Sequence, residues 1–141
     1  MSDRSFEFIS NDPVGYERLF GRGRCHLSVP FIEFAGVMAH EKVLDVGCGT
    51  GNLTISLAAS KAFATGIDLS WSYLHHARQR ISDASVKFTL GDAMKLPYQD
   101  DSFDRTLSML ALDLFLDPVL CLSEMRRVTR PGGIVAALVI G

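Results

Sequence analysis

Residues 44–52 read LDVGCGTGN: an apolar run stops at three glycines set at every second position, Gly47, Gly49 and Gly51, and a helix-like stretch follows. The run before it, Lys42 to Gly47, is short and β-rich, and NLTISLAASK after it has helical character. Strand, glycine loop and helix in this order mark the place where a doubly wound sheet brings its backbone closest to a ligand. Glycine lacks the Cβ that would hold the ligand away.

The same unit recurs on either side. AFATGIDL forms a second strand ending at Asp68, and SWSYLHHARQRI follows as a helix with Ser70 as its N-cap and an apolar stripe of Trp71, Leu74, Ala77 and Ile81. VKFTLGD, FDRTLSML and IVAALVIG supply a third, fourth and fifth strand. Between the last two, DPVLCLSEMRRVT is a helix capped by Asp117, with Pro118 at its first position and Cys121, Leu122, Met125 and Val128 as its buried face. Upstream, Asn11-Asp12-Pro13, Gly15, Gly21 and Gly23 break any period, which predicts an extended lead-in over the first thirty residues. VPFIEFAGVMA then predicts a helix whose apolar face is Phe31, Phe34, Ala35 and Met38. Strands alternating with helices predict an α/β fold with a mostly parallel sheet, since parallel neighbours need connections long enough to hold a helix.

At 141 residues, nearly half of them apolar, the chain has the size for one buried core. The formal net charge is −2 and no basic block stands out, so nucleic acid is not an expected partner; a small or weakly charged molecule is. No apolar run reaches the ~20 residues of a membrane span, and the first ten residues lack the pattern of a signal peptide, which predicts a cytoplasmic location. Cys25, Cys48 and Cys121 lie far apart with no C-x-x-C, against both a disulfide framework and a metal site.

Asp68 stands at a strand end about twenty residues beyond the loop, where a carboxylate can accept from both hydroxyls of a ribose. The glycine spacing is G-x-G-x-G rather than the G-x-G-x-x-G of a dinucleotide fingerprint, with Asn52 at the third pyrophosphate position. An NAD-dependent oxidoreductase is therefore the less favoured reading.

VLDVGCGTGNLT, GIDLS, GDAMKLPYQDDSFD and EMRRVTRPGGIVAAL, in that order, resemble the successive motifs of the class I S-adenosylmethionine-dependent methyltransferases. The likeness is greatest to the small-molecule branch that includes ubiquinone and menaquinone biosynthesis enzymes, and it covers residues 40–141. It implies a Rossmann-like sheet of order 3-2-1-4-5, with residues 1–39 as lead-in and helix and 40–141 as the S-adenosylmethionine-binding domain. It also implies roles by position. The backbone of Gly47, Cys48, Gly49 and Gly51 would lie against the cofactor, with Asp45 orienting the loop or meeting the methionine amino group. Asp68 would hold the ribose, Leu69 would pack on the adenine, and Asp92 beside Ala93 would accept from the adenine amino group. Leu110 would border the transferring methyl, and Tyr16 in the lead-in would reach the cofactor.

The implied reaction is methyl transfer to a small or lipid-like acceptor, and it needs no protein nucleophile because the sulfonium already activates the methyl. Among His26, His40, His75 and His76 the sequence singles out no general base, and Cys48 and Cys121 read as structural thiols, Arg126 and Arg127 as a solvated helix edge. Relatives of this family continue beyond the fifth strand with two more. The apolar fifth strand is thus expected to need cover from a second copy, a separately encoded partner chain or sequence lost by truncation, and a cofactor-binding remnant or subunit without turnover is the alternative function.

Overall fold

The computed structural model describes Val14 and residues 22–140, the first four of these as backbone. Five strands, β1 (Lys42–Val46), β2 (Phe63–Asp68), β3 (Val86–Leu90), β4 (Phe103–Met109) and β5 (Thr129–Leu138), form one sheet of order β3-β2-β1-β4-β5. Every pairing is parallel. Among the described residues four α-helices of a turn or more accompany them, α1 (Arg22–Phe34), α2 (Asn52–Ala59), α3 (Trp71–Arg80) and α4 (Pro118–Val128), with a short 3-10 turn at Leu112–Leu114. The chain steps from β1 to β2 to β3 in one direction, then crosses back to build β4 and β5 on the other flank of β1. Strand order reverses between β1 and β4, and the crevice outside their carboxyl ends is where such sheets bind ligands.

The period-2 alternation of β1 divides the core. Val43 faces a cluster with Phe31, Ile32 and Ala35 of α1 and Leu53 and Leu57 of α2. Leu44 and Val46 face the opposite cluster, with Ile67 and with Cys121, Met125 and Val128 of α4. Between β4 and β5 a buried polar staple joins Thr106 Oγ1 to Thr129 Oγ1 at 2.7 Å, and Thr129 Oγ1 donates to the carbonyl of Met125. That bond satisfies hydroxyls that would otherwise be costly to bury.

Several local signals act as read. Ser70 caps α3 by accepting from the Tyr73 amide, and Asp117 caps α4 by accepting from Leu120, with Pro118 at the first position. Others are corrected. The segment before β1 is helical from Arg22, not extended to residue thirty, and Pro30 lies inside the helix. It stops at Gly36, whose left-handed φ of 68° lets Gly36 N donate to Glu33 O and Val37 N to Ile32 O. Met38 therefore falls beyond the helix, and the buried face is Ser28, Phe31, Ile32 and Ala35; Phe34 and Met38 are exposed. On α3 the buried residues are Tyr73, Leu74 and Ala77, while Trp71 is exposed and stacks on His75 at 4.9 Å. Ile81 sits at the extended C-cap. Leu122 lies outside the buried face of α4, and β5 begins at Thr129, five residues before the apolar run.

The contrast on α4 is measurable. Met125→Ala removes a fully buried side chain from the core and is expected to cost about 2–5 kcal/mol, whereas Leu122→Ala stays within about 0.5 kcal/mol. Urea unfolding of the two variants gives both values.

Candidate functional site

The glycine loop leaves β1 at the switch point, and its amides do not point outward. Gly47 N and Cys48 N both donate to the carbonyl of Ile67, at 2.9 and 3.0 Å, and Gly49 N donates to Asp68 Oδ2 at 2.9 Å. Gly51 N closes the turn on Cys48 O. The other oxygen of Asp68, Oδ1, accepts from Ser70 N. One carboxylate at the tip of β2 thus ties the loop to the start of α3. A phosphate cradle needs free N–H groups aimed at the anion, and at residues 47–49 those groups are already engaged.

The three glycines are bare for different reasons. A Cβ on Gly47 would lie 2.7 Å from Ala111 Cβ and 3.0 Å from the Phe115 ring, and one on Gly51 would meet Ala77 and Phe88. These two positions let β4's following segment and α3 pack closely against the loop. At Gly49, with φ of 56°, nothing lies within 4 Å of the added atom. Only there is the missing side chain replaced by open space. Arg80, in the last turn of α3, also reaches over to hold the loop, donating to Thr50 O at 2.7 Å and Asn52 Oδ1 at 2.9 Å.

Asp45 is buried beneath the loop, 1% exposed. Gly51 gives α2 no side-chain cap, and Asp45 takes that place from the neighbouring strand: Thr54 Oγ1 donates to its Oδ2 at 2.7 Å and the Thr54 amide bonds to it as well. Burial outweighs these bonds, and with the Asp68 charge nearby it pushes the carboxyl up to about 7. Asp68 is raised too, by burial against the bonds from Ser70 and Gly49. A small cleft lined by Asp45, Gly47, Cys48, Gly49, Thr50, Asn52, Leu53 and Met109 opens beside them. Two neighbouring carboxylates and inward amides make its polarity suited to a cationic group.

The remaining expected residues among those described follow the carboxyl ends of β2, β3 and β4. Leu69, exposed, follows Asp68, and Asp92 follows β3, its Oδ1 accepting from Met94 N. Ala93 is buried. Leu110 follows β4 in a left-handed conformation, φ 59°, its amide bonded to Leu138 O at 2.7 Å. A branched residue held there is strained, and such strain persists only where the surroundings impose it. Tyr16 lies outside the described residues. Cys48 is buried against Gly66, and burial beside Asp45 and Asp68 raises its thiol well above 9.0, so it is protonated and inert. His40 precedes β1, at the opposite end of the sheet; His75 is exposed on α3. Arg127 departs from the sequence reading: it is no solvated edge but is bonded into the segment after β3. Thr54, Arg80, Ala111 and Phe115 escaped sequence reasoning because their parts depend on contacts across the fold; only the T in GNLT, one turn into α2, hinted at one of them.

Residues 44–137 match the methyltransferase domain family. A demethylmenaquinone methyltransferase of Staphylococcus aureus is 41% identical over 107 residues, which cover 73% of this chain and 44% of that protein. The chain thus spans less than half the length of the curated relatives it matches. Among solved structures, a chain of the complex between the Haloferax volcanii Trm112 methyltransferase activator and a methyltransferase superposes with a TM-score of 0.79 at 28% identity, covering 85% of this chain and 54% of that one. The [4+2]-cyclase SpnF superposes with a TM-score of 0.75 at 33% identity, covering 80% and 43%.

Two measurements follow. Gly47→Ala combines the left-handed backbone with a clash and is expected to lower stability by about 1–3 kcal/mol more than Gly49→Ala, as thermal and urea unfolding would read. For Asp45, the native carboxyl keeps its proton up to about 7 and the unfolded one releases it near 3.8. Between those values the native state binds more protons, so this stabilising contribution is full below the lower pKa and is lost as pH rises through the upper one. The gap bounds it at roughly 4 kcal/mol. Asp45→Asn is expected to flatten the fall in stability between about pH 4 and 8.

Proposed function

The chain belongs to the class I S-adenosylmethionine-dependent methyltransferases, and from that premise we propose that it binds S-adenosylmethionine across the carboxyl ends of β1, β2 and β3 and directs its methyl group to a small or lipid-like acceptor. The observation that carries this reading is the loop's inward amides beside two carboxylates. That polarity suits a sulfonium and an ammonium and disfavours a pyrophosphate, which separates the reading from a nicotinamide dinucleotide.

The cofactor, when bound, supplies an activated methyl. The residues supply placement. Gly49 offers its uncovered Cα to the methionine part, with Gly47, Cys48 and Gly51 shaping the turn beneath it. Asp45, whose carboxyl sits near 7, would be held ionised by an ammonium beside it, its proton passing to solvent, and would serve as the counter-charge below the loop. Asp68, already oriented by two backbone amides, keeps further lone pairs for the ribose hydroxyls. Leu69 covers the adenine face, Asp92 and Ala93 meet its amino edge, and Leu110 borders the methyl. Tyr16 belongs to the same proposal from the lead-in. Alignment and exclusion of water are the chief demands of such a transfer, and no histidine among the described residues is assigned as a base.

A lipid-like acceptor is supported by the demethylmenaquinone methyltransferase relatives. A cytoplasmic location is part of the same reading; no helix among the described residues is long and apolar enough to cross a membrane. Ile134, Val139 and Ile140 leave apolar surface exposed on and just beyond β5, which a second copy, a partner chain or the continuation of a longer chain would cover. A second reading, cofactor binding without methyl transfer, is favoured by the likeness to the [4+2]-cyclase SpnF, since one fold hosts different chemistries.

Calorimetric titration tests the core of the proposal. S-adenosylmethionine is expected to bind and NAD not to, and Asp68→Ala is expected to weaken the former by roughly 1.5–3 kcal/mol. Unchanged affinity in that variant removes Asp68 from the site; a screen of quinone and other small acceptors for methyl transfer then decides between the two readings.

A further inference from the structure

The twelve residues between β3 and β4, 91–102, contain no helix or strand, yet they carry Asp92 and Ala93 to the crevice. A connection of that length without regular structure must be held by side chains, because its backbone groups have no ladder of their own. One end is pinned near the site: Gly91 N donates to Asp68 O, and Asp92 receives Met94 N on Oδ1 and Lys95 N on its carbonyl.

The other end is held by one arginine. Arg127, near the end of α4, donates to the carbonyls of Leu96 at 3.0 Å and Tyr98 at 2.8 Å and to Asp100 Oδ1 at 2.9 Å. Its remaining donors go to Glu124, at 2.6 and 3.1 Å, and Glu124 Oε1 in turn accepts from Leu96 N at 3.0 Å. Asp101 N closes the clasp on the carbonyl of Arg127. All five guanidinium N–H groups are spent in a planar fork that an ammonium cannot reproduce. Beneath the clasp, Ala93 and Leu96 are buried in the α4 cluster, so the segment is seated as well as tied.

We infer that Arg127 is a positioning residue for recognition of the cofactor's base: by fastening residues 96–101 to α4 it holds Asp92 where a carboxylate oxygen meets the adenine amino group. The inference rests on the role proposed above for Asp92. It goes further, to why that carboxylate discriminates among bases at all. A carboxylate accepts from an amino group and opposes a carbonyl, so a well-placed Asp92 favours adenine over hypoxanthine, and one on a loosened segment does not.

The test titrates the chain by calorimetry with S-adenosylhomocysteine and with S-inosylhomocysteine, whose base carries a carbonyl in place of the amino group. Wild type is expected to prefer the adenine ligand by at least about tenfold. Asp92→Asn is expected to lose that preference. Arg127→Lys keeps the charge but not the fork, and its preference is expected to fall below about threefold while its affinity for the hypoxanthine ligand stays within about twofold of wild type. Arg127→Ala is expected to behave likewise; if it does not fold, Arg127→Lys and Glu124→Gln carry the comparison. A preference retained in Arg127→Lys, or an equal loss for both ligands, overturns the role given to Arg127. Equal affinities in wild type, or a preference surviving in Asp92→Asn, instead remove Asp92 from the base site and the inference with it. Binding of neither ligand to wild type overturns the cofactor assignment itself.

Discussion

The crevice depends on how the tip of β2 receives the loop from β1. The Ile67 carbonyl takes two loop amides and the Asp68 carboxylate takes a third, while its other oxygen takes the first amide of the turn into α3. The loop is thereby joined, across some twenty residues of chain, to the point where β2 turns into α3. The carboxylate is mostly buried and its pKa is raised, so the arrangement retains an electrostatic tension that its hydrogen bonds only partly relieve. A cation entering the crevice would relieve more of it.

The same logic extends to Asp45. A carboxyl that caps a helix from an adjacent strand does two things at once: it satisfies the amide and hydroxyl of Thr54, and it places a titratable group under the loop. Burial decides its protonation, and the parallel sheet decides its burial, since β1 is covered on both faces. Fold and site chemistry are joined through this one side chain.

Much of the architecture was legible in short stretches. The caps at Ser70 and Asp117, the strand end at Asp68, and the strand and helix alternation depend on interactions a few residues long, which a single sequence displays. Burial was read less well. Trp71 and Leu122 satisfied a helical period but lie outside the packed face, because the width of a buried stripe is set by the partner surface, not by the helix. At α1 the error had a local cause: Gly36 in the left-handed region ended the helix before Met38, and the apolar period ran on past that stop.

By itself the sequence determined that a bare turn would follow a buried strand, that a carboxylate would stand at the next strand's tip, and that the sheet would be parallel. Each of these is a matter of backbone preference and spacing. Tertiary structure alone decided which way the loop's amides face, and which glycines are bare for packing and which for open space. It also decided that Asp45 keeps its proton near neutrality and that Arg127 binds a segment some thirty residues earlier. Those outcomes depend on solvent exclusion and on partners distant in sequence, and neither is written in the order of residues around them.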